Sequence, residues 1–297
     1  MDTTSPSHAD AFIKAGTLTE ALPWIRRFQG SIFVIKLGGN AMVDDALLQA
    51  FADDMVFLAT VGVKPIVVHG GGPQISRALD DRGIPSEFQG GYRVTSTEAI
   101  PIIREVLRDH ISADIRDRIN SHSDLAAVLS GEDDGLFSAE RRGAVVAGVD
   151  VDLGHVGEVV HVNPGAILRL VEAGKIPVVS SLAPSGDGSG LLNVNADSAA
   201  AALAVAVGAE KLVLLTDVAG LYADWPHTQS LISTITSAEL EALVPTLESG
   251  MIPKMSACLD AVNGGVSKAA IIDGRLAHSL LLEAFTASGI GTEVVAS

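Results

Sequence analysis

The sequence predicts an α/β protein, a three-layer α/β/α sandwich in which a mostly parallel central sheet lies between two layers of helices. Short apolar runs alternate with helical segments along most of the 297 residues, which is the pattern of repeated βα units. Apolar residues make up 47% of the chain and aromatic residues only 4%, so the core is aliphatic, as buried parallel strands require. Two apolar runs end in glycine-rich turns that lead into helices, at residues 38–39 and 70–72.

The chain begins with a segment that need not belong to the sheet. Residues 1–10 are polar and are predicted to be disordered, and residues 11–28 are predicted to form a helix that Gly16 and Pro23 kink or break. The helix carries one apolar stripe, which needs a covering partner in its own domain or in another subunit. The stripe consists of Leu18, Leu22, Ile25 and Phe28.

The alternation starts after this helix and continues to the end of the chain. Strands are predicted at 32–37 and 65–69, helices at 44–60 and 73–82, and a long helix at 96–121. Residues 144–147 and 158–162 are predicted to be short antiparallel strands, and 185–190 a hairpin tip. Further strand or helix signals lie at 125–130, 165–173, 176–181, 197–207, 211–215, 237–248, 253–263, 269–272, 278–287 and 293–295. We expect an extension over 1–29 and two lobes, over 30–196 and 197–297.

The charge balance excludes some partners. Lys and Arg number 20 against 36 Asp and Glu, a net charge of −16, which opposes non-specific binding to nucleic acid or to an anionic membrane. The single cysteine, Cys258, allows neither an intrachain disulfide nor a cysteine zinc site. No signal peptide is evident, and the longest apolar candidate, 199–207, is too short to span a bilayer. These features predict a soluble, cytoplasmic protein.

The two glycine turns predict an anion site. Backbone N–H groups at a glycine turn that feeds a helix can approach a phosphate or carboxylate, and Lys36 adds a positive charge beside the first turn. Neither a Walker P-loop nor a G-x-G-x-x-G fingerprint is present, which lowers the expectation of a dinucleotide oxidoreductase. For either turn alone, a purely structural tight turn remains open.

Six motifs, taken together, resemble a known enzyme family. VIKLGGNAM at 34–42 and VVHGGGPQI at 67–75 resemble the amino-acid kinase superfamily. Within it, the remaining four resemble the N-acetyl-L-glutamate kinases: GGYRVT at 90–95, LNVNAD at 192–197, LTDVAGLY at 215–222 and GMIPK at 250–254. The resemblance covers residues 11–297. It implies the amino-acid kinase fold and transfer of the γ-phosphoryl group of ATP to the side-chain carboxylate of N-acetyl-L-glutamate, a step of arginine biosynthesis.

The resemblance assigns the catalytic residues. It places Lys36 at the phosphates, Lys254 on the nucleotide side of the transferring group, and Asp197 between them as the residue that holds both lysines. Because a carboxylate nucleophile is already ionised at neutral pH, the reaction needs positive charge and alignment rather than a general base. From the residues alone, Lys254 could equally be a solvated helix lysine and Asp197 a helix N-cap.

The resemblance also assigns the substrate contacts. Gly71 and Gly72 cradle the reacting carboxylate of N-acetyl-L-glutamate, Arg93 grips its α-carboxylate, and Asn193 holds the acetyl amide. The implied ATP contacts are Gly38, Gly39, Thr216, Asp217, Gly220 and Leu221. Mg²⁺ is expected to be held by the ATP phosphates, with no protein ligand, while Asn195 is expected to be structural and His69 to pack in its turn.

Arginine-inhibited members of the family carry an extra N-terminal helix that joins dimers into a hexamer, a trimer of dimers, and this chain has that extension. The resemblance therefore implies a hexamer inhibited by L-arginine. In the implied effector site Trp24 replaces the usual tyrosine, which keeps an aromatic face for a guanidinium and loses the hydroxyl. The remaining effector residues are Lys211, His278, Glu283 and Gly289.

The sequence alone leaves other activities open. Aspartokinase normally has additional C-terminal regulatory domains for which this chain has no residues, and uridylate kinase lacks both the N-terminal helix and the NVNAD motif. A non-catalytic amino-acid sensor on the same fold would not need both Lys36 and Lys254. An assay of ATP turnover separates these alternatives.

Overall fold

The computed structural model describes residues 8–146 and 149–297. The α-helices in that part are α1 His8–Phe28, α2 Asp45–Thr60, α3 Gly72–Asp80, α4 Ala99–Arg104, α5 Ala113–Asn120, α6 Gly165–Glu172, α7 Ala196–Ala206, α8 Ser237–Leu243, α9 Ile252–Asn263 and α10 Ser279–Phe285. A π-helical segment, Glu105–Ser112, joins α4 to α5. Among the described residues, no helix combines the length and apolarity needed to cross a bilayer.

The strands build one large sheet and three small ones. They are β1 Ile32–Leu37, β2 Lys64–His69, β3 Phe88–Gln89, β4 Tyr92–Arg93, β5 Ala126–Ser130, β6 Phe137–Arg141, β7 Ala144–Val146, β8 Val149–Val151, β9 Val156–Val162, β10 Ile176–Ser180, β11 Leu182–Pro184, β12 Leu191–Val194, β13 Lys211–Thr216, β14 Thr234–Thr236, β15 Lys268–Asp273 and β16 Thr292–Val295. The large sheet has the order β14-β16-β15-β13-β1-β2-β10-β5.

The large sheet confirms the predicted architecture. Every neighbouring pair in it is parallel except β15 with β16, which is antiparallel. Alternate residues of β1 enter different cores: Phe33, Ile35 and Leu37 belong to the core on one face, and Val34 to the core on the other. Both faces are buried because helices cover each of them, which explains why the strands read as continuous apolar runs.

The smaller sheets differ from the expectation for residues 144–162. The segment 144–146 pairs with 149–151, and 156–162 pairs instead with β6 and β12 in a separate sheet of order β11-β12-β9-β6. Ala147 of the predicted strand lies outside the described residues. The hairpin tip at 185–190 is confirmed, since β11 and β12 are antiparallel on either side of it. Five strands were not predicted from the sequence: β3, β4, β6, β8 and β14.

The N-terminal helix is longer and more regular than predicted. Residues 8–10 belong to α1, so the prediction of disorder is wrong for them, and residues 1–7 lie outside the described part of the chain. Pro23 lies within the helix and does not break it. Its last turn is anchored, because Phe28 is 3% exposed and Trp24 packs against the core. Nearer the N-terminus of α1 its apolar face is not covered, since the following side chains are exposed: Phe12, Ile13, Leu18 and Leu22.

Two neighbouring aspartates of α2 differ in their environments. Asp54 is buried, and its Oδ1 lies 2.6 Å from Nδ1 of His278, which precedes α10. Burial raises the pKa of Asp54 to about 6, against the opposing hydrogen bond and charge of His278. Asp53 is largely solvated, and although its slight burial opposes ionisation, hydrogen bonds from Gln49 and His122 lower its pKa. The protonated form of Asp54 therefore stabilises the fold.

Asp54→Asn is expected to raise the free energy of unfolding at about pH 7.5 by up to ~3 kcal/mol and to change it little near about pH 4. The folded protein binds a proton at Asp54 more tightly than the unfolded chain does, so stability falls as the pH rises from 3.8 to about 6. Asparagine has a neutral amide, so the stability of the variant does not fall with pH at this position. Its amide oxygen still accepts the hydrogen bond from His278. Urea titrations at both pH values measure the effect.

Asp53→Asn is the matched control. Since the pKa of Asp53 is lowered in the folded protein, its ionised form stabilises the fold at neutral pH, and the amide should decrease stability there and not under acid conditions. An Asp54→Asn protein no more stable than the wild type at neutral pH contradicts the assignment of Asp54 as a buried, proton-binding carboxyl.

Candidate active site

The predicted site residues converge where parallel strands end. Lys36 is near the end of β1, the glycine turn 70–72 follows β2, and Thr216 ends β13. These three strands are adjacent in the order β13-β1-β2. The carboxyl ends of parallel strands form the usual ligand edge of such sheets, and the helix N-termini that follow them present unpaired N–H groups there.

A buried ion triad lies at this edge. Lys36 Nζ is 2.8 Å from Asp197 Oδ1, and Lys254 Nζ is 3.4 Å from Asp197 Oδ2. The side chains of Lys36 and Asp197 are 10% and 5% exposed, and that of Lys254 is 23% exposed. Although burial opposes ionisation of the carboxyl, the two ammonium groups hold the pKa of Asp197 below its usual range. Two positive charges face one negative charge, which leaves the triad with a net charge of +1.

The residue that caps helix α7 is not Asp197, the cap considered from the sequence. Asn195, and not Asp197, caps α7: its side chain accepts hydrogen bonds from the backbone N–H groups of Asp197 and Ser198 at 2.8 Å and 3.2 Å. The capping alternative for Asp197 is therefore wrong, and Asn195 is structural, as expected. Because the cap is already filled, the carboxylate of Asp197 is left to the two lysines.

The first glycine turn lies against charged side chains. A β-carbon at Gly38 would collide with Nζ of Lys36, and one at Gly39 would collide with the carboxylate of Asp217. Gly39 also has a φ of +67°, which favours glycine. The side chains of Lys36 and Asp217 therefore pack directly on this turn, where only glycine leaves room for them.

A cavity beside the triad contains all four residues predicted to bind the acceptor: Gly71, Gly72, Arg93 and Asn193. Arg93 is buried, and its guanidinium donates to the carbonyl of Gly72 at 2.8 Å, to Oγ of Ser76 at 2.8 Å and to Oγ of Ser86. It also lies 4.6 Å from the ring centroid of Phe88.

Asn193, on β12, lines the same cavity as Arg93. Its amide donates to Oγ1 of Thr95 at 3.3 Å, which leaves its carbonyl oxygen directed away from that contact. The roles of Phe88 and Ser86 were not predicted from the sequence. The only feature of the sequence that could have indicated them is their position shortly before the GGYRVT motif.

A second, mainly apolar cavity lies beside the end of β13. It includes Gly220 and Leu221 from the predicted nucleotide set, and the segment from Thr246 to Met251 forms part of its wall. Thr216 and Asp217 lie just before it in the chain. Tyr222 and Trp225 line the cavity as a pair, with ring centroids 5.2 Å apart. Sequence reasoning missed these aromatic residues, although the chain has only two Trp and two Tyr.

A third cavity lies between the last turn of α1 and α10, and it brings together four of the five predicted effector residues. Trp24, Lys211, Glu283 and Gly289 line it, and so does Glu293, which was not predicted. Lys211 Nζ is 2.8 Å from Glu283 Oε1 and 3.1 Å from Glu293 Oε1. The other oxygen of Glu283 accepts the backbone N–H of Ile290 at 3.0 Å.

His278 lies outside the walls of this cavity. His278 directly precedes α10 and has a left-handed backbone conformation, with a φ of +61°. Its ring contacts Asp54. Sequence position near Glu283 could not reveal this, because Asp54 is 224 residues away along the chain.

Within the described ranges, no group of three or more His, Cys, Asp or Glu is arranged to hold a metal ion. Asp197 in particular has both carboxylate oxygens engaged by ammonium groups, so a metal would have to displace a lysine to bind there.

Comparison with known proteins gives the family. The model of the Amino acid kinase family matches residues 31–273. A protein of Leifsonia xyli subsp. xyli named acetylglutamate kinase is 62% identical over 287 residues, 96% of this chain and 95% of the relative. One of Clavibacter michiganensis subsp. michiganensis with the same name is 62% identical over 99% of this chain and 98% of the relative.

Solved structures show the same fold. An N-acetylglutamate synthase of Neisseria gonorrhoeae, complexed with coenzyme A and N-acetyl-glutamate, matches with a TM-score of 0.79 and 26% identity. The match covers 95% of this chain and 63% of the synthase, so this chain spans less than two thirds of that protein. A carbamate kinase from Giardia lamblia, at 16% identity and a TM-score of 0.64, shares the fold.

The family model covers most of the chain, and high identity extends over nearly the full length of the curated relatives. The chain therefore belongs to the amino acid kinase family, within its acetylglutamate kinase branch.

Proposed function

We propose that the edge formed by Lys36, Asp197 and Lys254 transfers the γ-phosphoryl group of ATP to the side-chain carboxylate of N-acetyl-L-glutamate. The observation that carries this proposal is the buried triad. Ala196, next to Asp197 in the chain, lines the cavity that contains Arg93 and Asn193, here called the polar cavity. Met251, three residues before Lys254, lines the mainly apolar one. The names of relatives at 62% identity support the activity, and none of these relatives is an aspartokinase, a uridylate kinase or an oxidoreductase. We further expect a cytoplasmic location.

The triad supplies the positive charge that the reaction needs. Two anions, the nucleotide phosphates and the acceptor carboxylate, must approach each other, and the transferring group spreads negative charge over its oxygens. Lys36 and Lys254 stabilise that charge, while Asp197 holds both ammonium groups in fixed positions. No general base is required, because the acceptor is ionised at neutral pH.

The polar cavity suits a substrate with two carboxylates and an amide. The N–H groups at the start of α3, around Gly71 and Gly72, face the reacting carboxylate. Arg93 offers a guanidinium for the α-carboxylate, although it must exchange present contacts with Ser76, Ser86 or Gly72 to do so. Asn193 completes the set as a partner for the acetyl amide.

The apolar cavity suits the nucleoside of ATP. Its wall contains Gly220, Leu221 and the pair Tyr222 and Trp225, which offers aromatic faces to a base. The Gly38–Gly39 turn, on which Lys36 and Asp217 pack, is the element we assign to the phosphates, together with Thr216. Mg²⁺ bound to those phosphates supplies charge neutralisation, and we propose that the phosphates rather than protein side chains hold it.

Lys36→Ala and Lys254→Ala should each lower kcat by about 100-fold or more and change the KM values much less. The reason is that these ammonium groups act most strongly on the charge of the transition state. Asp197→Asn should lower kcat in the same way and leave the fold intact. ADP release with saturating ATP and N-acetyl-L-glutamate measures the effect.

Lys64→Ala is the matched control, since Lys64 is an exposed lysine at the opposite end of the β2 strand. It should leave kcat unchanged. A Lys36→Ala or Lys254→Ala enzyme with near-normal kcat contradicts the assignment of the triad.

Substrate selection tests the polar cavity. Arg93→Ala should raise the KM for N-acetyl-L-glutamate by roughly 10- to 100-fold, with little change in the KM for ATP, because the α-carboxylate loses a charged partner. Free glutamate, aspartate and UMP should be poor acceptors in the same ADP-release assay. Equal kcat/KM for glutamate and N-acetyl-L-glutamate would falsify the substrate assignment.

We also propose that L-arginine binds the cavity between α1 and α10. The carboxylates of Glu283 and Glu293 suit a guanidinium, and Trp24 offers an aromatic face. Support comes from a Neisseria gonorrhoeae N-acetylglutamate synthase of similar fold, solved with L-arginine, at a TM-score of 0.77. Because Lys211 already pairs with Glu283, an arginine must share or displace that contact. His278 lies outside the cavity and receives no effector contact in this proposal.

The exposed apolar face of α1 supports assembly into a hexamer, a trimer of dimers. Four large apolar side chains of this helix remain in solvent: Phe12, Ile13, Leu18 and Leu22. Pairing with α1 of another subunit would bury them. Since the same helix supplies Trp24 to the effector cavity, arginine binding and assembly are coupled in this proposal.

Deleting residues 1–18 should give an active dimer that arginine no longer inhibits, because most of the exposed face is removed while Trp24 and Phe28 remain. Glu283→Gln should keep the hexamer and lose inhibition, since the amide still accepts from Ile290 and cannot pair with a guanidinium. Light scattering and arginine titration of activity measure both. A truncated protein that stays hexameric, or a Glu283→Gln protein that is still fully inhibited, contradicts the scheme.

A further inference from the structure

One buried polar residue beside the acceptor cavity has no part in the proposed transfer. His69 ends β2, directly before the glycine turn, and is 0% exposed. Its Nδ1 lies 2.9 Å from the carbonyl oxygen of Gly70, and its Nε2 lies 2.6 Å from Oγ of Ser112. Its ring therefore cannot touch a substrate, although it contacts the turn that lines the substrate cavity.

These two contacts determine the tautomer of the ring. A carbonyl oxygen can only accept, so Nδ1 must carry the proton that it donates to Gly70. Nε2 is then a lone-pair acceptor, and the hydroxyl of Ser112 is its donor. Burial lowers the pKa of His69 to about 4, so the ring is neutral near pH 7 and keeps both roles.

The carbonyl held by His69 shares a planar trans peptide with the N–H of Gly71, and the two groups point in opposite directions. When the Gly70 oxygen faces the buried ring, the Gly71 N–H faces away from it, and both glycines line the acceptor cavity. Both residues of this peptide are glycines, whose backbone could adopt the flipped orientation without steric cost. A flip would present a carbonyl oxygen to the reacting carboxylate in place of a donor.

A π-helical segment supplies the contact to the His69 ring. Ser112 is 0% exposed and ends the π-helical segment Glu105–Ser112. The same segment supplies Leu107 and Ile111, whose methyl groups a β-carbon at Gly71 would strike. Segments of π-helix frequently mark functional sites, and this one packs on the glycine turn and supplies the donor for the ring.

We propose that His69 is a positioning residue that, with Ser112, orients the Gly70–Gly71 peptide so that the Gly71 N–H faces the reacting carboxylate. The proposal rests on the proposed phosphoryl transfer to N-acetyl-L-glutamate. His69 acts on that reaction through the peptide and takes no proton from substrate.

A set of variants separates orientation from stability. His69→Ala removes the donor to Gly70 and should lower kcat by about 100-fold, the size of effect seen when one preorganised donor to a developing charge is lost. His69→Asn places an amide donor where Nδ1 stood and should recover kcat to within about 10-fold of the wild type. The KM for ATP should stay unchanged in both.

Val67→Ala is the control for a purely structural effect. Val67 is buried on the same strand, two residues before His69 and on the same face, and its truncation should lower the melting temperature with kcat nearly intact. The proposal is overturned if His69→Ala keeps wild-type kcat, if His69→Asn falls as far as His69→Ala, or if kcat falls with melting temperature as steeply in Val67→Ala.

A measurement that does not depend on activity completes the test. In ¹⁵N-histidine-labelled protein, the His69 resonances, assigned by their loss in His69→Asn, should show the neutral ring protonated at Nδ1, unchanged between about pH 7 and pH 5. A ring protonated at Nε2, or one that becomes charged in this range, overturns the proposal. If the wild-type protein does not phosphorylate N-acetyl-L-glutamate, the proposed function fails, while the tautomer still decides whether His69 holds the peptide.

Discussion

The site depends on the carboxylate of Asp197, which lies between the ammonium groups of Lys36 and Lys254. The two lysines come from distant parts of the chain, a strand end and a helix, and would repel each other without a negative charge between them. Asp197 lies in the first turn of α7, so the helix sets its position, and Asn195 rather than Asp197 caps that helix. One carboxylate thus fixes two cations and leaves a net positive charge for a phosphoryl group.

This local charge contrasts with the whole molecule. A protein with a net charge of −16 repels anions at long range, so its anionic ligands must be held by groups concentrated in one place. The glycine turns contribute to this concentration because backbone N–H groups carry no counter-charge. His69 likewise adds no charge to the site. In the role proposed for it, a neutral, buried ring orients a peptide donor without a charge that the site would need to balance.

The cavity between α1 and α10 is instead electrically balanced, since two lysines face two glutamates there. There, Lys211 lies between Glu283 and Glu293, and Lys268 contacts the second oxygen of Glu293 at 2.6 Å. Although burial opposes its ionisation, Lys211 and Lys268 keep the pKa of Glu293 lowered. Each glutamate here has a lysine partner, so the buried carboxylates are compensated. The start of α10 is tied to α2 through His278 and Asp54, so the wall that carries Glu283 is anchored to the core.

By itself, the sequence determined the fold class and the long elements, because parallel strands buried on both faces leave apolar runs such as 32–37 that periodicity detects. It also identified the glycine turns, the lysines and Asp197 through motif resemblance. Strands of two or three residues, such as β3 and β14, escaped because so short a segment carries no period. Only the tertiary structure decided that Asn195 caps α7, that Tyr222 and Trp225 share a cavity, and that His278 faces Asp54 instead of Glu283. The contact of His278 with Asp54 joins residues 224 positions apart, which spacing along the chain does not encode. The other two are local pairs, but the cap depends on where α7 begins, and the shared cavity depends on how the loop after β13 packs.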